Sequence, residues 1–410
     1  MGLAYGQVPC HVPHLAIFDA NVAEFTEERA LDLQAGANTI EWRSLMPQAY
    51  VRTIRAMGGE ITVLRQDVTY DGPEVRGQKA PVLHLVLRNN GAAGIHKVRV
   101  DYLAPNLSWK GDYAMALGPA ANGNPPTEMR LDGWVTVQND TGMDVCADTV
   151  DLVAGEVQLL LGGASPRFAA APFASQTANA YTSGINMADA TESRFAEAAG
   201  IGAFSRFRLA RDVSMTANAA IDRFPLFQGL KLSVEERHVF ENDARAQTLG
   251  RGGFTLLPRG LEVRLVARNS SESPFPAGTV TVYSQDGEVS QTVGQDLIPL
   301  TPVGADFSVS QGHSNVLQGT RRVVDRRNLP EPSAPGQSKL VTEVEVVVSN
   351  RGPAASTAWV REGVESWGHG QWTVTRSSHP HEKLGDHELE FKLSVPPRGS
   401  VKVEYTVEAQ

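Results

Sequence analysis

Two cysteines in 410 residues are too few for a disulfide framework, so packed cores rather than covalent staples must hold this chain together. Cys10 and Cys146 can form at most one bond, and neither sits in a metal-knuckle spacing. Positive charge is also in short supply: 37 Lys and Arg face 46 Asp and Glu, a formal −9. That balance excludes a general affinity for nucleic-acid backbones or anionic lipid, each of which needs a basic face. No window approaches the ~18 apolar residues of a membrane span. The opening MGLAYGQVPCHVPHLAIF lacks the basic n-region and apolar stretch of a secretory signal. The expectation is a cytoplasmic protein with no transmembrane segment of its own, peripheral to a membrane at most through a partner. Export is the alternative if translation starts upstream.

Catalytic signatures are scarce as well. No Gly-x-Ser-x-Gly elbow occurs, so no nucleophile is nominated. Gly200-Ile201-Gly202 and Gly250-Arg251-Gly252-Gly253 lack the spacing and the Lys-Ser/Thr ending of a phosphate loop and read as turns. No cofactor is expected.

The chain does hold enough apolar material, 41% of residues with 20% charged, for three or four domains of ~100 residues each. Strand signals run throughout. Phe25 to Leu33 and Asn38 to Trp42, separated by Ala35-Gly36-Ala37, read as a hairpin. Asp71-Gly72-Pro73 reads as the end of a first unit. Phe391 to Val395, Pro396-Pro397-Arg398-Gly399 and Val401 to Val407 read as a closing hairpin.

An internal recurrence is the most informative feature. Four alternating strands run into an asparagine: Leu83 to Asn89, Gly133 to Asn139, Val263 to Asn269 and Val344 to Asn350. Six, four and two residues before each Asn the residue is apolar, Gly133 being the weak member, as a strand with one face on a core requires. Asn suits the strand end because its amide bonds nearby backbone in a turn. The pattern predicts an all-β chain of tandem antiparallel sandwiches of immunoglobulin or fibronectin type. The units expected are 1–78, 79–232, 233–327 and 328–410.

The stretch 162–204, rich in Ala, Ser and Gly, reads as an insertion in the second unit, with a short helix over Met187 to Ala199. Phe168, Phe173 and Tyr181 are its candidate partner contacts. Asn328 to Lys339, with three prolines, reads as a loop or linker. The dense basic run Arg321, Arg322, Arg326 and Arg327 is a candidate docking patch, weighed against a strand with charged edges. His379, His381 and His387 are weak metal-ligand candidates among three carboxylates, and Cys10, His11 and His14 weaker ones. Trp109, Trp134, Trp367 and Trp372 read as core.

One set of motifs keeps its order from about residue 16 to the end. It includes Tyr102, Pro105, Trp109 and Tyr113; LVAGEV at Leu152 to Val157; Phe224-Pro225-Leu226-Phe227; Pro276-Ala277-Gly278-Thr279-Val280; and Pro396-Pro397-Arg398-Gly399 with Tyr405. In this the chain resembles domain-of-unknown-function family 4139, the mucoidy-inhibitor-A-like proteins. The resemblance implies a sandwich-rich bacterial protein with no assigned reaction or cofactor. This sequence departs from many relatives in lacking a signal peptide and a coiled-coil insertion. The reading is a non-enzymatic scaffold or accessory subunit that binds proteins in a larger assembly, a membrane complex among the candidates, with no nucleic-acid partner. The alternatives are an exported envelope or surface protein, with glycans as candidate ligands, and a metal-dependent hydrolase.

Overall fold

Period-two alternation governs the chain from end to end. Leu107–Leu117 buries every second side chain, as does Glu128–Asn139, so each strand lays one face on a core. The computed structural model describes residues 10–43, 45–75, 77–119, 125–155, 198–201, 204–209, 212–217, 222–242, 258–286, 289–330, 338–363, 371–385 and 388–409. Among them the chain is nearly all β, the one helical turn being Val51–Thr53.

Four sheets form among the described residues. The eight-stranded one centres on Cys10–Phe18, which pairs in parallel with Val145–Ala154 and antiparallel with Val22–Leu33. Gly94–Pro105 continues the order on the far side of Val22–Leu33. A three-stranded sheet of Gly36–Trp42, Val82–Asn89 and Ile61–Thr69 packs on it. Phe25 stacks on Tyr102 at 5.4 Å, in one cluster with Trp42, Leu83, Leu85 and Leu87. The thirteen-stranded sheet runs from Val289–Ile298 through Gly278–Asp286, Leu107–Leu117 and Glu128–Asn139 into the C-terminal half. Trp109 meets Phe207 edge-on at 6.0 Å and joins the two large sheets in the same cluster. A second cluster, with Phe240, Val346, Trp372, Phe391 and Tyr405, fills a C-terminal sandwich. Each fully buried Leu, Val or Phe contributes about 1.5–3 kcal/mol.

The asparagine device recurs in three dimensions. Asn89, Asn139, Asn269 and Asn350 are all buried. Each Oδ1 accepts the backbone N–H two residues on, from Gly91, Thr141, Ser271 and Gly352 at 2.8–3.1 Å. Each Nδ2 donates to a carbonyl three or four residues on, of Ala92, Met143, Ser273 and Ala354. In three copies Nδ2 also reaches a distant carbonyl, of Met215, Thr301 or Val395. One side chain thus closes its own turn and ties it to a second segment.

The outer face of the eight-stranded sheet carries a row of polar side chains opposite the apolar ones. Arg208, Asp151, His14, Thr26, Asp101 and Arg55 stand on six adjacent strands. Asp151, barely exposed, accepts from His14 Nε2 at 3.0 Å and Arg208 Nε at 2.8 Å. Asp101 accepts from Thr26 at 2.9 Å, Arg99 at 2.6 Å and Arg55 at 3.1 Å. Burial alone would raise both carboxyls, but these donors hold them below the ordinary range.

Several expectations need correction. Val22–Leu33 and Gly36–Trp42 do not pair with each other: the turn between them carries the chain from one sheet to the facing one. Asn38 closes this corner by bonding Gln34 and Gly36, and Gly36 supplies the positive φ of 89°. The closing hairpin is likewise a crossover, since Glu388–Val395 pairs with Ser356–Gly363 whereas Ser400–Ala409 pairs with Ser338–Asn350. The stretch from Asp71 ends no unit, because Ile61–Thr69 and Val82–Asn89 on either side of it pair. At the ends of the stretch Asn328 to Lys339 the chain is paired strand rather than linker, Asn328 facing Leu340, Leu329 facing Lys339 and Pro330 facing Ser338, and 331–337 lie outside the described residues. Of the expected helix, Ala198 and Ala199 are strand, and the rest lies outside the described residues. The expected boundaries 78/79, 232/233 and 327/328 each fall inside a strand.

Candidate functional site

Three strands are shared between the two hydrophobic clusters. Asp222–Asn242 places Phe227, Leu232 and Val234 in the first and Phe240 in the second. Arg259–Arg268 gives Leu265 and Ala267 to the first and Leu261 to the second. Asp306–Pro330 gives Phe307 and Val309 to the first and Leu317 to the second. These side-by-side strands, two of them 21 and 25 residues long, form a joint made of continuous sheet.

At the joint the pairing between Arg259–Arg268 and Asp306–Pro330 breaks step. Gly260 faces Gln318, while Glu262 faces His313, so two steps on one strand oppose five on the other. A bulge of this kind kinks its strand and re-aims side chains. Local chemistry explains where it falls. Gly312 takes a φ of 105°, and Ser314 Oγ accepts the N–H groups of Val316 at 3.2 Å and Leu317 at 3.0 Å. A Cβ at Gly260 would run into the carbonyl of Ser314. Arg351 N donates to Val316 O at 3.0 Å and pins the bulge to the Asn350 turn.

The bulge opens a cleft of about 570 Å³, within the range of small-molecule sites. His238, Gln311, His313, Ser314, Asn315 and Ser356 supply its polar groups, and Val263, Val293 and Leu317 its apolar wall. His238 stands opposite Val263 across the pair of strands, and its Nε2 lies 3.3 Å from Glu236 Oε1. Its Nδ1 is buried and makes no hydrogen bond. Glu262 bonds Arg264 at 2.6 Å; burial raises its carboxyl, and Arg264, Ser310 and His313 bring it below its ordinary value. Arg264 also bonds Glu241.

The arginine run lies farther along Asp306–Pro330, and most of its charge is already matched. Arg321 is an internal residue: its Nε donates to the fully buried Glu362 at 2.6 Å, and Tyr405 donates to the same carboxylate at 2.7 Å. Its guanidinium is thus engaged inside the sandwich, with 7% of the side chain exposed. Burial works against its charge, and Glu362 more than offsets that and holds the guanidinium above its usual value. Arg322 pairs with Glu345 at 3.1 Å, Arg327 with Asp325 at 3.0 Å and Glu343 at 3.3 Å, and Arg326 is half-buried. Phe168, Phe173, Tyr181, Trp367 and His387 lie outside the described residues. His379 bonds Ser378, and His381 packs on Phe391 at 5.9 Å between ring centres. Among the described residues no three His, Cys, Asp or Glu side chains gather as metal ligands. Cys146 is a free thiol 3.5 Å from Ser214 Oγ. Trp109 and Trp372 are buried, while Trp134 is half-buried beneath Arg223.

A hydroxyl, an imidazole and a carboxylate meet on the outer face of the three-stranded sheet, but not as a catalytic triad. Thr69 donates its proton to Asp71 at 2.6 Å, so it can only accept from His84 Nε2 at 2.9 Å. That polarity is opposite to general-base activation of a nucleophile. Sequence reasoning passed over the cleft, whose one signal is the polar interruption Gln311 to Asn315 between Val309 and Val316 in an otherwise alternating strand. Among the described residues no helix is long and apolar enough to cross a membrane. No family model matches the chain, and no curated protein matches it.

Proposed function

We propose that this chain is a non-enzymatic scaffold, an accessory subunit that holds other proteins in a larger assembly. The observation that carries the reading is the joint: three strands pass unbroken from one core to the other, so surfaces on the two cores stand at a fixed separation. Linked modules that act independently need no such continuity. Kinship with the mucoidy-inhibitor-A-like proteins and a tandem immunoglobulin-like organisation belong to the same proposal, and the four matching asparagine turns support them. Strand addition is the binding mode best supported. Ile61–Thr69 is an edge strand of the three-stranded sheet, with Leu64 46% and Tyr70 59% exposed at that edge.

The test is purification of the full chain from its native source after mild cross-linking, with soluble and membrane fractions kept apart. The proposal expects a protein partner at fixed stoichiometry, lost on Leu64→Lys. Recovery of the lone chain from every fraction contradicts it.

A further inference from the structure

We infer that the cleft at the joint is a binding site for a neutral, polyhydroxylated small molecule such as a sugar ring. Its polar lining consists of two imidazoles, two carboxamides and two hydroxyls, and no Asp, Glu, Lys or Arg stands among the lining residues described. Imidazoles, carboxamides and hydroxyls each donate as well as accept, which is what a hydroxyl-rich ligand presents in return. A cation or an anion would instead call for an opposite charge in the wall. The carboxylates of Glu236 and Glu262 stand just behind His238 and His313, one 3.3 Å from His238 and the other on the residue paired with His313. They disfavour an anionic ligand, and Arg264 already engages Glu262.

The remaining wall suits a pyranose, whose ring has a polar rim and apolar C–H faces. Val263, Val293 and Val316 offer apolar groups for such a face, with Leu317 buried beneath them. Gln311, His313, Ser314 and Asn315 all come from the bulged stretch, so the irregularity that breaks the pairing also aims the polar groups. His238 is held by Glu236, and Ser314 is fixed by the two N–H groups that its Oγ accepts. The site is thus oriented before any ligand arrives, which reduces the ordering cost of binding. The inference is independent of the scaffold reading, since a ligand at the joint requires no protein partner.

The experiment is isothermal titration of the full chain with D-glucose, maltose and myo-inositol, and with D-glucuronate as the charged control. At least one neutral compound is expected to bind with a dissociation constant on the order of 1 mM, and glucuronate about tenfold more weakly or not at all. Gln311→Ala combined with Asn315→Ala is expected to weaken the neutral compound by about tenfold or more. Ser356→Trp, which fills the cleft from the second sandwich, is expected to abolish binding. The thermal midpoint of each variant is measured alongside, and only those within about 3 °C of the parent are read. Three results overturn the inference: no heat from any neutral compound up to about 50 mM, affinity unchanged in the double variant, or glucuronate binding as tightly as the neutral compounds.

Discussion

Apart from Glu27, which Trp42 and Tyr102 bond on the inner face of the first, the two cores keep their buried charge in opposite places. In the first, Asp101 and Asp151 sit on the solvent side of the eight-stranded sheet, covered by arginines that themselves reach water. In the second, Arg321 and Glu362 point into the sandwich, where Glu362 is fully buried and Tyr405 completes the pair. A row on the outside can use several partly hydrated donors, each of which can be lost without stranding a charge. A pair on the inside has no such reserve, because removing one member leaves the other without water. The second core should therefore be sensitive to mutation of its ion pair, and the first to acid.

The largest effect tests that contrast directly. Arg321→Met should destabilise the second core by about 3–5 kcal/mol in urea unfolding, and adding Glu362→Leu should restore most of the loss. If the double variant is no better than the single one, the pair is not what makes the site fragile. Asp151→Asn should cost about 1.5–3 kcal/mol at neutral pH, because charge-assisted bonds from His14 and Arg208 weaken. The pH dependence sharpens the point. Asp101 and Asp151 are held below the ordinary value, so their contribution is complete above about pH 5 and drains as pH falls through ~3.9 toward the folded values. Glu27 has the opposite sign, since burial raises it despite bonds from Trp42 and Tyr102, and stability is lost there as pH climbs above ~4.3. Unfolding curves between about pH 3 and 7 should show an acid limb that Asp151→Asn flattens.

Smaller effects probe the packing and the surface of the second core. Gly319→Ala should cost about 1–3 kcal/mol, because a Cβ there would overlap the Phe240 ring at the joint. Arg322→Ala and Arg327→Ala should each change stability by only about 0–1 kcal/mol, as exposed pairs do. A loss comparable to that of Arg321→Met would show that burial is not what separates these arginines.

The strands and their ends were legible in the sequence, but not the strands' partners. The four asparagines announced themselves because one residue type must serve one geometry, and each makes the same pair of local bonds. Turn chemistry alone does not reveal whether a chain folds back on its own strand or crosses to the facing sheet. Ala35-Gly36-Ala37 and Pro396-Pro397-Arg398-Gly399 therefore read as hairpins and proved to be crossovers. The partners of the arginine run were not legible for a related reason: Glu345 and Glu362 lie on other strands, and only the fold brings them to Arg322 and Arg321. The cleft was hidden because His238 and His313 are far apart in sequence and each looks like an ordinary polar strand residue.

The central claim is that the joint is continuous sheet that makes the two cores one mechanical body. Native-state hydrogen exchange of the full chain tests it most directly, read at the amides of residues 236–240, 261–265 and 317–321. The account predicts that these amides exchange only through the same global opening that releases Val135 in the first core and Val346 in the second. Exchange at the joint through a separate opening, well before either core, would contradict it.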